Sequence, residues 1–322
     1  MRIHRFIVCI VVVVTLAACS STRGRNVDAP FASYHQHLIS PAMSEFWSTP
    51  DQLDAQQLIQ QLDAAQIERA LVLSVAYAYG DERRQVPDEL TKVRAENDWT
   101  ASQVSRYPER LFGFCGVSPL RAYALEEIER CTKLPHLAGV KLHLGNSGVD
   151  LRKPEHVERL AAFFAAADAK RLPIAIHIKT RTGWPYGRDE AQTFLNQVVA
   201  RAPNTPIQIA HLAGAGPGYQ DIIDDALSVF VEAIQSGDAK TRNLWFDVTT
   251  IATVETTPEN GALIARRLRE LGLQRILFGA DHSIGGNPAP AAAWKIFSEK
   301  VPLTAAERRT IAANVAPYVR GR

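Results

Sequence analysis

The chain has 322 residues, 46% of them hydrophobic and 22% charged, with a formal net charge of +2. That is enough apolar sequence for the core of one large domain, and too little basic excess for a nucleic-acid face. Neither a zinc-finger pattern nor a phosphate-cradling glycine loop occurs, so the expected partner is a small molecule rather than nucleic acid.

The first element is an export signal. Arg2 and Arg5 precede the apolar run of residues 6–18, which ends in Leu16-Ala17-Ala18-Cys19 followed by Ser20-Ser21. A charged start, a short apolar stretch and small residues before a cleavage point predict a signal peptide over residues 1–18, too short to span a bilayer comfortably. Its last four residues resemble the bacterial lipobox, which implies a lipid on Cys19 and an exported lipoprotein held at a membrane, facing the periplasm or the cell surface. An ordinary secretory signal or an N-terminal anchor is the plainer alternative. Residues 19–30 then form a tether, and 31–322 the folded domain.

From residue 31 onward, short apolar runs alternate with longer amphipathic ones, the mark of repeated βα units. The strand-like runs cover residues 31–37, 69–75, 110–117, 137–143, 173–178, 206–212, 243–249 and 275–281. Helix-like stretches fall at 51–65, 88–106, 122–133, 154–170, 189–201, 219–235 and 258–271, several opened by Pro or Asp. Eight such repeats without a glycine-rich first turn predict an α/β fold of the closed (β/α)8 barrel type rather than an open doubly wound sheet. Two extra C-terminal helices, at 289–299 and 304–319, pack outside it. Cys115 and Cys131 remain after processing; in an oxidising compartment they form either one bridge or two packed thiols.

The chemistry-bearing residues sit at the C-terminal ends of strand runs, where barrel active sites are assembled. His35 and His37 end the first strand and, being two apart, share a face. His177 ends the fifth, His211 the sixth and Asp281 the eighth. One histidine alone is more often a packed core or surface residue, but five strand-end positions together suit a borderline divalent ion, with zinc foremost. His4, His136 and His156 lie in the signal, a loop and a helix, and receive no role.

The ordered set HQH (35–37), GVKLH (139–143), AIHI (175–178), AHLAG (210–214), FGAD (278–281) and NVAPYV (314–319) resembles the amidohydrolase-related family of the amidohydrolase superfamily over nearly the whole mature chain. The resemblance implies that His35, His37, His177 and Asp281 bind one metal ion. It also makes His211 a catalytic or second-metal histidine. Lys141 and His143 share one strand face and are candidates for a second metal or for polar support, one ion being favoured over two. The pattern departs at Ser33-Tyr34, where the family often has an Asp, and at His282-Ser283, where it often has a Pro, which leaves the subfamily open.

The expected activity is hydrolysis of an amide, lactone or ester by metal-activated water, with Asp281 moving the proton and His211 steadying the oxyanion. Two alternatives stand beside it: nonoxidative decarboxylation, known in the same family, and a catalytically silent binding barrel at the cell surface. The rim loop after strand five offers Lys179, Arg181 and Trp184, which suit an acidic or aromatic substrate, or else form a solvated loop. Tyr77 and Tyr79 after strand two are weaker candidates of the same kind. Oligomeric state is not legible.

Overall fold

The computed structural model describes residues 28–282 and 284–319. The expected export signal, Cys19 and most of the expected tether lie outside the described residues. Among those described, no helix is long and apolar enough to cross a membrane.

All eight expected strands form. They are β1 (Ala32–Gln36), β2 (Arg69–Leu73), β3 (Leu111–Gly116), β4 (Leu137–His143), β5 (Ile174–His177), β6 (Ile207–Ile209), β7 (Leu244–Asp247) and β8 (Ile276–Leu277). They pair in parallel in sequence order, and their runs are mostly apolar because both faces of such a sheet are covered, with Ser33, Gln36, Lys141, Gln208 and Asp247 among the buried polar exceptions. Backbone hydrogen bonds from Tyr34 N to Phe278 O (2.7 Å) and from Asp281 N to His35 O (2.8 Å) bring β1 against the end of β8 and close the barrel.

The helices are α1 (Pro41–Trp47), α2 (Ala55–Ala64), α3 (Glu89–Val104), α4 (Ala124–Cys131), α5 (Pro154–Ala169), α6 (Arg188–Thr193), α7 (Asp221–Gln235), α8 (Pro258–Leu271), α9 (Pro290–Lys300) and α10 (Ala305–Ala313). Their starts follow from local chemistry. Asp54 with Gln57 and Thr304 with Glu307 build capping boxes on α2 and α10, and Pro stands in the first turn of α1, α5, α8 and α9. Three expectations change. Helix α1 is additional, because its seven residues are too few to show a period. The stretch 189–201 breaks after Thr193 into a π-type turn and a 3-10 turn. The last helix stops at Ala313, since Asn314 turns extended and spends its side-chain amide on the carbonyls of Leu273 and Ile276.

That turn gives the C-terminal segment its place. Tyr318 packs against Tyr34 and Phe114 and donates to Gln208 Oε1 at 2.6 Å, plugging the end of the barrel away from the site. The strands' outer faces and the helices form the main core, in which Cys115 and Cys131 are joined as a disulfide with Cα atoms 6.2 Å apart. The pairing of β1 with β2 shifts between Ser33 and Gln36. This irregularity lets Tyr34 join the inner plug while His35 and His37 turn into the mouth.

Candidate active site

The mouth is built from strand ends. His35 comes from β1 and His37 from just past its end, Lys141 and His143 from β4, His177 from β5, His211 from the turn after β6 and Asp281 from the turn after β8. His35, His37 and Asp281 each offer a ligand atom, and these atoms lie within 4.8 Å of one another. The distances to Asp281 Oδ1 are 3.2 Å from His37 Nε2 and 3.8 Å from His35 Nε2. His177 falls just outside this triple; its ring centroid lies 5.3 Å from that of His211, which lies 4.8 Å from His35.

The other nitrogen of each ring fixes what it presents to the site. His37 Nδ1 donates to the Leu73 carbonyl at 2.6 Å and His211 Nδ1 to the Thr249 carbonyl at 2.9 Å. His35 Nδ1 donates to Asp247 Oδ2 at 3.1 Å. In their neutral forms all three rings therefore point an Nε2 lone pair inward. Burial, with the neighbouring Lys141 ammonium, pushes His35 down to about 3, so its ring is neutral at physiological pH. Burial likewise pushes His143 and His177 well below the usual histidine range and Lys141 down to about 8. For Asp281, burial acts upward, and the imidazoles of His37 and His35, when they carry the second proton that an ion would replace, outweigh it and lower the carboxyl to about 2.

Two buried atoms of the cluster, Asp281 Oδ1 and His177 Nδ1, have no hydrogen-bond partner. Lone pairs facing lone pairs in a dry pocket are unfavourable without a proton or a cation between them. A divalent ion fits this donor set. The backbone bears the cost of the arrangement: His211, Leu212, Ala213, Thr250 and Asp281 all have φ between +47° and +68°, and such strain gathers at functional sites. Gly279 is required by close approach, since a Cβ there would stand 2.2 Å from Thr249 Oγ1 and 2.6 Å from His35 Cβ.

Asp247, at the end of β7, was not among the expected residues. It is fully buried and accepts from His35 Nδ1, from Gln208 Nε2 (2.6 Å) and from the backbone N–H groups of His211 (2.9 Å) and Thr249 (3.2 Å). It obeys the same strand-end rule that picked out the histidines, and that rule applied to the Asp of NLWFDVT finds it. Asn287, which donates to Asp281 Oδ2 at 3.0 Å, carries no such signal.

A cleft of about 470 Å³ opens beside His143 and His177 and is lined by Lys179, Arg181 and Trp184 of the rim loop. Arg181 does not offer a free fork there. It donates to Gly145 O (3.0 Å), Asp81 Oδ1 (3.1 Å) and Glu82 Oε1 (3.0 Å), with Trp184 against its guanidinium. Lys179 enters no ion pair among the described residues. Lys141 Nζ lies 3.4 Å from His35 Nε2, and His143 stacks on His177 with centroids 3.9 Å apart.

The sequence matches the amidohydrolase family over residues 32–314. The chain belongs to that family. No curated protein matches it. The probable 2-pyrone-4,6-dicarboxylic acid hydrolase of Acinetobacter baumannii, solved with citric acid bound, is similar in structure at 16% identity and a TM-score of 0.60, over 87% of this chain and 95% of that one. The 5-carboxyvanillate decarboxylase of Novosphingobium aromaticivorans, solved with manganese and a nitrobenzoic acid, is similar at 14% identity and a TM-score of 0.62, over 91% and 96%. A 2,6-dihydroxybenzoate decarboxylase from Rhizobium is similar at 16% and 0.56, over 88% and 96%. At these identities the likeness establishes the barrel fold of this chain and leaves its reaction to its own residues.

Proposed function

We propose that this amidohydrolase is a metal-dependent hydrolase of a small-molecule amide, lactone or ester. One observation carries the reading: two imidazole Nε2 atoms and a carboxylate oxygen converge within 4.8 Å, each ring having committed its N–H elsewhere. His35, His37 and Asp281 would hold the ion, with His177 as a fourth ligand. Imidazole and carboxylate donors suit zinc. When bound, such an ion acidifies water toward about pH 7 and polarises a carbonyl.

The chain's own groups supply the rest. Asn287 anchors Asp281 Oδ2 and leaves Oδ1 open to take a proton and return it to the leaving group. His211 was expected to steady an oxyanion, but its N–H is spent on Thr249. Its inward Nε2 is an acceptor in the neutral ring, which suits orienting a water instead.

Decarboxylation is the second reading, favoured by the structural likeness to two decarboxylases. It needs a cationic clamp on the substrate carboxylate; of the cations lining the cleft, Arg83 and Arg181 are both paired with Asp81, so the clamp would fall to Lys179 alone. Hydrolysis makes no such demand. A panel of lactones, amides, esters and aromatic acids offered to the zinc- and manganese-loaded protein separates them: hydrolysis products support the proposal, and released carbon dioxide without hydrolysis overturns it. We further propose that Cys19 carries the lipid, which mass spectrometry of the mature N-terminus tests; an unmodified Cys19 overturns that placement.

A further inference from the structure

We propose that the Tyr77 hydroxyl donates a hydrogen bond to the substrate's carbonyl oxygen as negative charge builds on it. The proposal rests on the hydrolase reading and fills a gap in it. An ion that polarises the carbonyl is helped by a preorganised hydrogen-bond donor on the same oxygen; His35, His37 and His211 present acceptors, which leaves the Tyr77 hydroxyl and the Lys141 ammonium, 3.4 Å from His35 Nε2, as candidate donors.

Tyr77 lies in a short turn, Ala76–Gly80, just past the C-terminal end of β2 and so at the mouth. Its backbone is pressed onto β3. A Cβ on Gly116 would stand 2.6 Å from Ser74 O, 2.9 Å from Ala76 N and 3.0 Å from Tyr77 N, so only glycine admits the turn. Bonds from Ala76 N to Ser74 Oγ (3.3 Å) and from Ala78 N to Val75 O (2.9 Å) hold the turn in shape. The side chain is 5% exposed. Its ring lies 5.2 Å from His143, the ring that stacks on His177.

A buried phenol normally spends its hydroxyl on a protein partner. Tyr34, Tyr186, Tyr219 and Tyr318 do so, on Asn314 O, Ala213 O, Asp224 and Gln208. Tyr77 makes no such bond among the described residues. Tyr79 shares that property, but its ring packs 4.6 Å from Phe46 and no histidine ring contacts it. Burial and the charge of Asp281 both push the Tyr77 phenol upward, so it keeps its proton and remains a donor at any working pH.

Tyr77→Phe removes the hydroxyl and keeps the ring. With the substrate found by the panel, kcat should fall about 100-fold or more, as for loss of one oxyanion donor, while KM moves less than about threefold and zinc content is unchanged. Acetohydroxamate, followed by calorimetry on the zinc-loaded protein, reads the same hydrogen bond without turnover and should bind about 10-fold more weakly to the variant. A kcat within about threefold of the parent and equal acetohydroxamate affinity would overturn the role of Tyr77 and leave the hydrolase reading intact. Loss of zinc in parallel with kcat would overturn it in favour of a structural role. A parent protein that binds zinc and hydrolyses nothing in the panel would overturn the hydrolase reading itself.

Discussion

The Nε2 atom of His37 lies 3.2 Å from Oδ1 of Asp281, while Nδ1 of the same ring already donates to the Leu73 carbonyl. A histidine just past β1 and a carboxylate just past β8 thus meet as two acceptors across the seam where the barrel closes. The same seam holds the backbone bond from Asp281 N to His35 O, so closure of the fold and assembly of the site are one event.

Asp247 should govern metal affinity without touching the ion. Burial acts to raise its carboxyl, but His35, His211 and the bonds they make outweigh it and keep the group charged. Each oxygen of Asp247 accepts two of the four donors around it, so in Asp247→Asn two of them meet an N–H instead of an oxygen, either His35 with Gln208 or the backbone of His211 with Thr249, and the support of the site loosens. Zinc titration should show affinity reduced about 10- to 100-fold. Unchanged affinity would mean that His35 holds its orientation by packing alone.

Glu96 gives a test of stability rather than of chemistry. Its carboxyl is buried on α3 and bonded by Ser40 Oγ, the N-cap of α1. Burial pushes it from 4.5 to about 7 against that hydrogen bond. The folded state therefore keeps a proton that the unfolded chain releases, and this stabilising contribution is complete below pH 4.5 and gone above about 7. Glu96→Gln should gain on the parent protein between pH 5 and 8 by up to about 3 kcal/mol in urea unfolding. A constant difference across that range would show that Glu96 does not titrate in the fold.

Arg181→Met should cost stability rather than selectivity. The side chain bridges Gly145, Asp81 and Glu82, and Asp81 is buried, so a loss of about 1–3 kcal/mol is expected. The ratio of kcat/KM for acidic and neutral substrates should stay within about twofold. A selective rise of KM for acidic substrates would return the guanidinium to substrate binding.

The strands were legible because a buried parallel sheet writes each one as a mostly apolar run, and the site was legible because polar residues gather at the ends of those runs. Asp247 satisfies the same rule and was passed over beside the more conspicuous histidines. Other features depend on distant partners. Arg181 looks free in its own loop and is paired by residues 81 and 82, a hundred positions earlier. The inward lone pair of His211 is set by the Thr249 carbonyl, and the bridge between Cys115 and Cys131 by the packing of α4 on the sheet. Two-residue β8 shows the limit of pattern reading at the closing seam, where Phe278, Ala280 and Asp281 follow β1 through bonds to Tyr34 and His35 rather than a regular ladder.

Metal content and single-turnover rate, measured together on the parent protein and on Asp281→Asn, test the central claim most directly. Asparagine can still offer an oxygen to an ion but cannot accept a proton. The parent should hold a divalent ion and turn over, and the variant should keep most of the metal while its rate falls about 1,000-fold or more. A variant with near-parental turnover would remove Asp281 as the proton acceptor, and a parent protein that takes up neither zinc nor manganese and stays inactive in their presence would contradict the metal-dependent hydrolase altogether.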